Sequence, residues 1–198
     1  WTVSAFDDLD GPLDPSSFVS VVEESGNQLA LFDTKEFADG LFVATLEQGF
    51  EVSGTAPLLK LDFSLPVTSP DSTGTDSSPF YDTLFVSVED STDFFDLLLV
   101  DQIGALEDPF GTAPGPVTLG APWDPSFDFG LTADLSSLAG GAFTLYFDLF
   151  GVDDLMQTQF SVDNVRMSSV PEPSCVIYAM MAFGLLFSLR QRDRNRTP

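Results

Sequence analysis

Hydrophobic and polar positions alternate with period two along much of this chain. In "LLKLDFSLP" Leu59, Leu61, Phe63 and Leu65 fall on one side, with Lys60, Asp62 and Ser64 on the other. In "AFTLYFDLF" Phe143, Leu145, Phe147 and Leu149 oppose Thr144, Tyr146 and Asp148, and "TLFVSVED" groups Leu84, Val86 and Val88. The runs "FVSVV", "QLALFD", "GLFVATLEQGFEV" and "FFDLLLV" extend the pattern. Successive side chains of a strand point to opposite faces, so these runs predict strands with one buried face. Clusters of Gly, Pro, Asp and Ser separate them, the longest being "PVTSPDSTGTDSSP" and "EDPFGTAPGPVTLGAPWDP". Both are expected as loops of one domain, since neither flank alone has strands enough for a core. "DLSSLAGG" is expected to form a helical turn between strands. No long pattern of period 3.6 and no internal repeat precedes the end of the chain. The expected fold is all-β: an antiparallel, jelly-roll-like sandwich of eight to ten strands over residues 1–169.

The last 29 residues differ. Residues 175–189 form a run of 15 without a charge, followed by Arg190, Arg192, Arg194 and Arg196. As one short helix this run spans roughly 22 Å, less than the ~30 Å of a hydrocarbon core. Pro171 and Pro173 suit its N-terminal boundary. Arginines after an apolar run orient that end toward the cytoplasm, which leaves the rest of the chain outside. Residues 170–198 are therefore expected as a membrane tail on an exported domain. The first residue is Trp1, consistent with removal of an N-terminal signal peptide.

Charge changes the picture of the domain. Of 31 acidic residues, all but Glu172 and Asp193 precede the tail, against only Lys35, Lys60 and Arg166. Such a surface repels nucleic acid, whose binding depends on cationic contacts to phosphate. The chain has no His, which excludes imidazole catalysis and His metal sites. The single Cys175 excludes an intrachain disulfide.

The C-terminal pattern resembles the PEP-CTERM sorting signal of exported bacterial proteins. Pro171-Glu172-Pro173 comes first, then the apolar run, then the Arg-rich end. The resemblance implies an exosortase-like membrane protease or transpeptidase as partner, with cleavage near Pro171, Glu172, Pro173 and Ser174. It also implies a host with extracellular polysaccharide and a place at the cell surface or in the matrix. The stretch from "LSSLAGG" to "SVDNVRM" is similar to the closing strands of jelly-roll domains found ahead of such signals, themselves similar to carbohydrate-binding modules. That likeness implies a structural Ca²⁺ ion held by Asp7 and Asp163, with Asp8 as a substitute. The acids of "FDDLDGPLD" also carry oxygens of the kind calcium takes, six to eight at a time. A solvated acidic turn is the plainer account.

Sugar binding uses exposed aromatics, and the loops offer Trp123 and Tyr81; Trp1 could instead cover an open edge of the core. Catalysis has little support: there is no nucleophile elbow and no phosphate-cradling loop, and chance alone places some carboxylate pair at glycosidase spacing among so many acids. The sequence favours a noncatalytic surface or matrix protein that binds polysaccharide. The alternatives are a polysaccharide hydrolase or lyase on the same scaffold and a purely structural or adhesive protein.

Overall fold

A computed structural model describes residues 1–7, 11–24, 27–34, 41–51, 57–69, 82–138, 140–151 and 157–169. The tail 170–198, with the processing motif and the four arginines, lies outside the described residues, as do Asp8 and Tyr81.

The described chain is two antiparallel sheets and two single 3₁₀ turns. The strands are β1 (Thr2–Asp7), β2 (Gly11–Pro12), β3 (Val19–Glu24), β4 (Asn27–Asp33), β5 (Phe42–Glu51), β6 (Pro57–Ser69), β7 (Thr83–Glu89), β8 (Phe94–Asp101), β9 (Gly104–Glu107), β10 (Val117–Gly120), β11 (Phe129–Asp134), β12 (Ala142–Gly151) and β13 (Gln157–Ser169). Seven form one sheet in the order β2-β1-β5-β12-β7-β8-β9, and six form the other in the order β10-β11-β6-β13-β4-β3. The 3₁₀ turns are Pro15–Ser17 and Ser136–Leu138, the second within the expected helical turn. Among the described residues no helix is long and apolar enough to cross a membrane.

Alternation builds the core as the sequence pattern requires. Phe42, Ala44 and Leu46 of β5, Leu84, Val86 and Val88 of β7, and Phe143, Leu145, Phe147 and Leu149 of β12 face inward from the larger sheet. Leu59, Leu61 and Phe63 of β6, Leu131 and Ala133 of β11, and Phe160 and Val162 of β13 face them from the smaller one. Each fully buried side chain of this size contributes about 1.5–3 kcal/mol. Trp1 lies over the margin of this core, 57% exposed, its ring 5.9 Å from that of Phe147.

Two register irregularities in β13 shape the smaller sheet. Between Gln159 and Ser161 the extra residue belongs to β6, beside Pro66, which has no N–H for the ladder. Between Asp163 and Arg166 the extra residue belongs to β13 itself, and Asn164 takes φ +55° there. Asn tolerates this left-handed conformation better than most residues, as a bulge needs. The bulge keeps Asp163 opposite Asp62 and Arg166 opposite Lys60.

Candidate functional site

Outward-facing residues of the larger sheet form two aromatic groups around a polar centre. At one end Phe6 pairs across the ladder with Val43, and Val43 with Phe150. The Phe150 ring meets that of Phe85 edge-on at 5.3 Å, and Phe85 stacks with Phe110 at 6.2 Å. At the other end Phe94 lies 5.9 Å from Tyr146, whose hydroxyl donates to Glu89 Oε2 at 2.7 Å. Phe94 is 48% exposed and Phe110 63%, so neither ring is used up by packing. Below this second group opens a shallow cleft of 520 Å³, lined by residues that include Gly49, Glu51, Glu89, Asp90 and Thr144.

Between the two groups stand carboxyls. Asp148 is paired across the ladder with Thr45 and Phe85, and Thr45 Oγ1 donates to its Oδ1 at 2.6 Å. Burial pushes Asp148 above the usual carboxylate range; the charges of Asp96 and Glu47 add to this, and the Thr45 hydrogen bond opposes it. Asp96 is raised too, by burial and then by the charge of Asp108. The hydrogen bond to Glu89 pushes the Tyr146 hydroxyl up to about 12, with burial and the Glu89 charge acting in the same direction. Ser87 lies between Tyr146 and Asp96 in the ladder. It is fully buried, and among the described residues its hydroxyl has no hydrogen-bond partner. Apolar rings beside hydrogen-bonding carboxyls on a rigid sheet can stack on the apolar faces of sugars and bond their hydroxyls.

The outer side of the smaller sheet is built differently. Asp62 of β6, expected on a solvated face, is 1% exposed, because the loop of residues 121–128 lies over it. Its carboxylate accepts from the backbone N–H of Trp123 at 2.9 and 3.1 Å, from that of Asp124 at 3.0 Å and from Asn164 Nδ2 at 2.9 Å. Asp128 closes the loop by accepting from Leu65 N–H at 2.8 Å, at the irregularity beside Pro66. Asp124 caps Ser126 within the loop, and those hydrogen bonds hold its carboxyl below the usual range. The fixed loop presents Trp123, 47% exposed, with the Arg166 guanidinium 4.6 Å and the Lys60 ammonium 5.5 Å from the ring centroid.

Of the residues expected for calcium, the structure describes the backbone of Asp7 at the end of β1 and Asp163 in β13. Asp7 ends β1 opposite Phe42, whose ring meets Phe18, next to Val19; Val19 pairs with Phe32, and Phe32 with Phe160. Asp163 lies three residues beyond Phe160 on β13, opposite Asp62. Asp163 borders an inter-sheet cavity of 480 Å³ with Trp1, Val3, Leu46 and Phe147. Among the described residues no group of three or more acids is placed to hold a metal ion. Asp8, the third residue expected for calcium, lies outside the described residues.

Reasoning from sequence singled out Trp123 but missed both its cations and the aromatic face of the larger sheet. The alternation of "AFTLYFDLF" already set Tyr146 and Asp148 apart from the core. Phe85 and Phe94 come from other strands, which register brings alongside, and Phe110 comes from the turn after β9.

No protein-family model matches the chain, and no curated protein matches it in sequence. Among solved structures, the chain is similar to TmCBM61, solved in complex with β-1,4-galactotriose: 10% identity, TM-score 0.47, covering 85% of this chain and 88% of that one. It is also similar to an exo-β-agarase, at 14% identity and TM-score 0.38, over 85% of this chain and 25% of that one. A third is the N-terminal cellulose-binding domain of Cellulomonas fimi β-1,4-glucanase C, at 17% identity and TM-score 0.34, over 86% and 90%.

Proposed function

We propose that this protein is an exported, noncatalytic polysaccharide-binding protein of a cell surface or extracellular matrix. The outer face of the seven-stranded sheet holds the glycan. The observation that carries this reading is the pairing of exposed rings at Phe94 and Phe110 with the carboxyls of Asp96 and Asp148 on one rigid face. An open face accommodates a long polymer, whereas a pocket would select a chain end. The tail supports sorting by an exosortase-like enzyme through Pro171, Glu172, Pro173 and Ser174, with Arg190, Arg192, Arg194 and Arg196 held on the cytoplasmic side until cleavage.

Affinity electrophoresis through gels carrying matrix polysaccharides tests the binding. Retardation by at least one polymer is expected, and Phe94→Ala with Phe110→Ala should weaken it by about thirtyfold, since two stacked sugars at about 1 kcal/mol each contribute about 2 kcal/mol. Unchanged retardation of that double variant would sink the assignment of the face. The sorting proposal predicts that the released protein has a mass ending near residues 171–174, and an intact Pro198 would contradict it.

One observation favours a hydrolase as a second reading. Asp96 and Asp148 are both raised, and a proton-donating carboxyl is raised in glycosidases. Asp148→Asn separates the two. An enzyme loses release of reducing ends and keeps binding, whereas the binding protein releases none in either form.

A further inference from the structure

The outer side of the six-stranded sheet has a feature that the glycan face does not explain. The domain is overwhelmingly acidic, yet Lys60 and Arg166 are the only lysine and arginine among the described residues, and both stand at the ring of Trp123. They are cross-strand neighbours, brought into register by the bulge at Asn164. In a surface so rich in acids, ordinary charge compensation would pair them with carboxylates. Among the described residues Lys60 has no hydrogen-bond or ion-pair partner. Arg166 has one, donating from Nη2 to Asn164 Oδ1 at 3.1 Å. A guanidinium carries five N–H donors and an ammonium three, so among the described residues most of the donors at this spot have no protein acceptor.

The ring is held in place as deliberately as a ligand platform needs. Its own backbone N–H is fixed by buried Asp62, and the loop passes so close to β11 that a Cβ on Gly130 would stand 2.9 Å from Ala121 O. A half-exposed indole on so rigid a loop loses little entropy when something stacks on it.

We infer that Trp123, Lys60 and Arg166 form a second binding site, which takes an acidic sugar. The indole stacks against the apolar face of the sugar ring, while the ammonium and guanidinium bond its carboxylate or sulfate. Long-range repulsion from the rest of the domain disfavours a densely charged polyanion. The ligand is therefore an acidic residue carried singly in an otherwise neutral glycan. This site lies on the opposite sheet from the proposed glycan face and does not rest on that reading.

The test uses the full chain in mild detergent and the indole N–H resonances of its two tryptophans, with Trp123→Phe assigning the Trp123 signal. Glucuronate and glucose 6-sulfate are the probes for carboxylate and sulfate; glucose, acetate and sulfate are the controls. The Trp123 signal should shift saturably with one or both acidic sugars. Glucose should bind at least tenfold more weakly, and the bare anions should leave the signal in place. Lys60→Gln with Arg166→Gln should weaken the response by about tenfold while the β-sheet circular dichroism spectrum is retained, and Phe94→Ala should leave it intact. An equal response to glucose, an equal response to acetate or sulfate, or no response to either acidic sugar would overturn the inference. A response that survives loss of both cations would overturn it as well.

Discussion

The carboxyl of Asp148 is held in a place that suits its neutral form. It is partly buried on the sheet face, near the charges of Asp96 and Glu47, with one hydrogen bond from Thr45 to offset them. A carboxyl whose pKa is higher folded than unfolded favours the fold fully below its unfolded value, here 3.8, and that contribution is lost as pH rises through the folded value. At pH 7 the folded protein therefore bears the cost of an ionised Asp148. Asp148→Asn keeps an oxygen to accept from Thr45 and removes the charge. The variant should melt roughly 1–3 °C above the parent at pH 7, with the gain vanishing below about pH 4. Differential scanning calorimetry at the two pH values checks it, and an equal gain at both would mean that the charge is not the cause. Asp90 works in the opposite sense. The backbone N–H groups of Thr92 and Asp93 depress its pKa, so its contribution is present at neutral pH and lost as pH falls through its folded value.

At the scale of elements, the strands with a clean alternation were legible and the devices that join them were not. The runs in β5, β6, β7 and β12 each bury the face that their spacing assigns. Asp62 breaks that rule because a loop far off in sequence covers it, and no local pattern records such a cover. The stretch "EDPFGTAPGPVTLGAPWDP" reads as loop throughout, yet Val117–Gly120 forms β10 there, paired among the described residues with β11 alone at the sheet margin. Four residues between prolines and glycines are too few for periodicity to show. The Trp123 site was half legible for the same reason: an exposed Trp can be read from a loop, whereas its cations arrive through β6–β13 register and a bulge. The end of β12 shows how closely these strands meet. Gly151 pairs with Phe42 of β5, and a Cβ placed on Gly151 would overlap the Phe42 ring. Gly151→Ala should therefore cost about 1–3 kcal/mol through displacement of a core ring. Urea unfolding reads this as a lower midpoint with an unchanged slope. A midpoint within error of the parent would show that the ring moves aside freely.

For the molecule as a whole, the formal charge of −24 sets how stability responds to salt. Four of the seven basic residues fall in residues 170–198, against Glu172 and Asp193, so residues 1–169 are more acidic than the whole chain. Lys60 and Arg166 stack on a ring, and among the described residues they neutralise no carboxylate by an ion pair. The electrostatic term in folding is then dominated by repulsion among acids, which the expanded chain relieves. Salt shortens the Debye length from about 30 Å at 0.01 M to about 8 Å at 0.15 M, which screens that repulsion across the sandwich. Melting temperature at pH 7 should rise over this range. A fold held by surface ion pairs would respond in the opposite direction. The dependence should fade near the isoelectric point of 4.1, where net repulsion is gone. Thermal melts over the salt series at both pH values decide the matter. A melting temperature that falls with salt at pH 7 would mean that attractive pairs outweigh the acidic excess. The two cations at Trp123 would then have to be read as part of that attraction, and no longer as donors kept for a ligand.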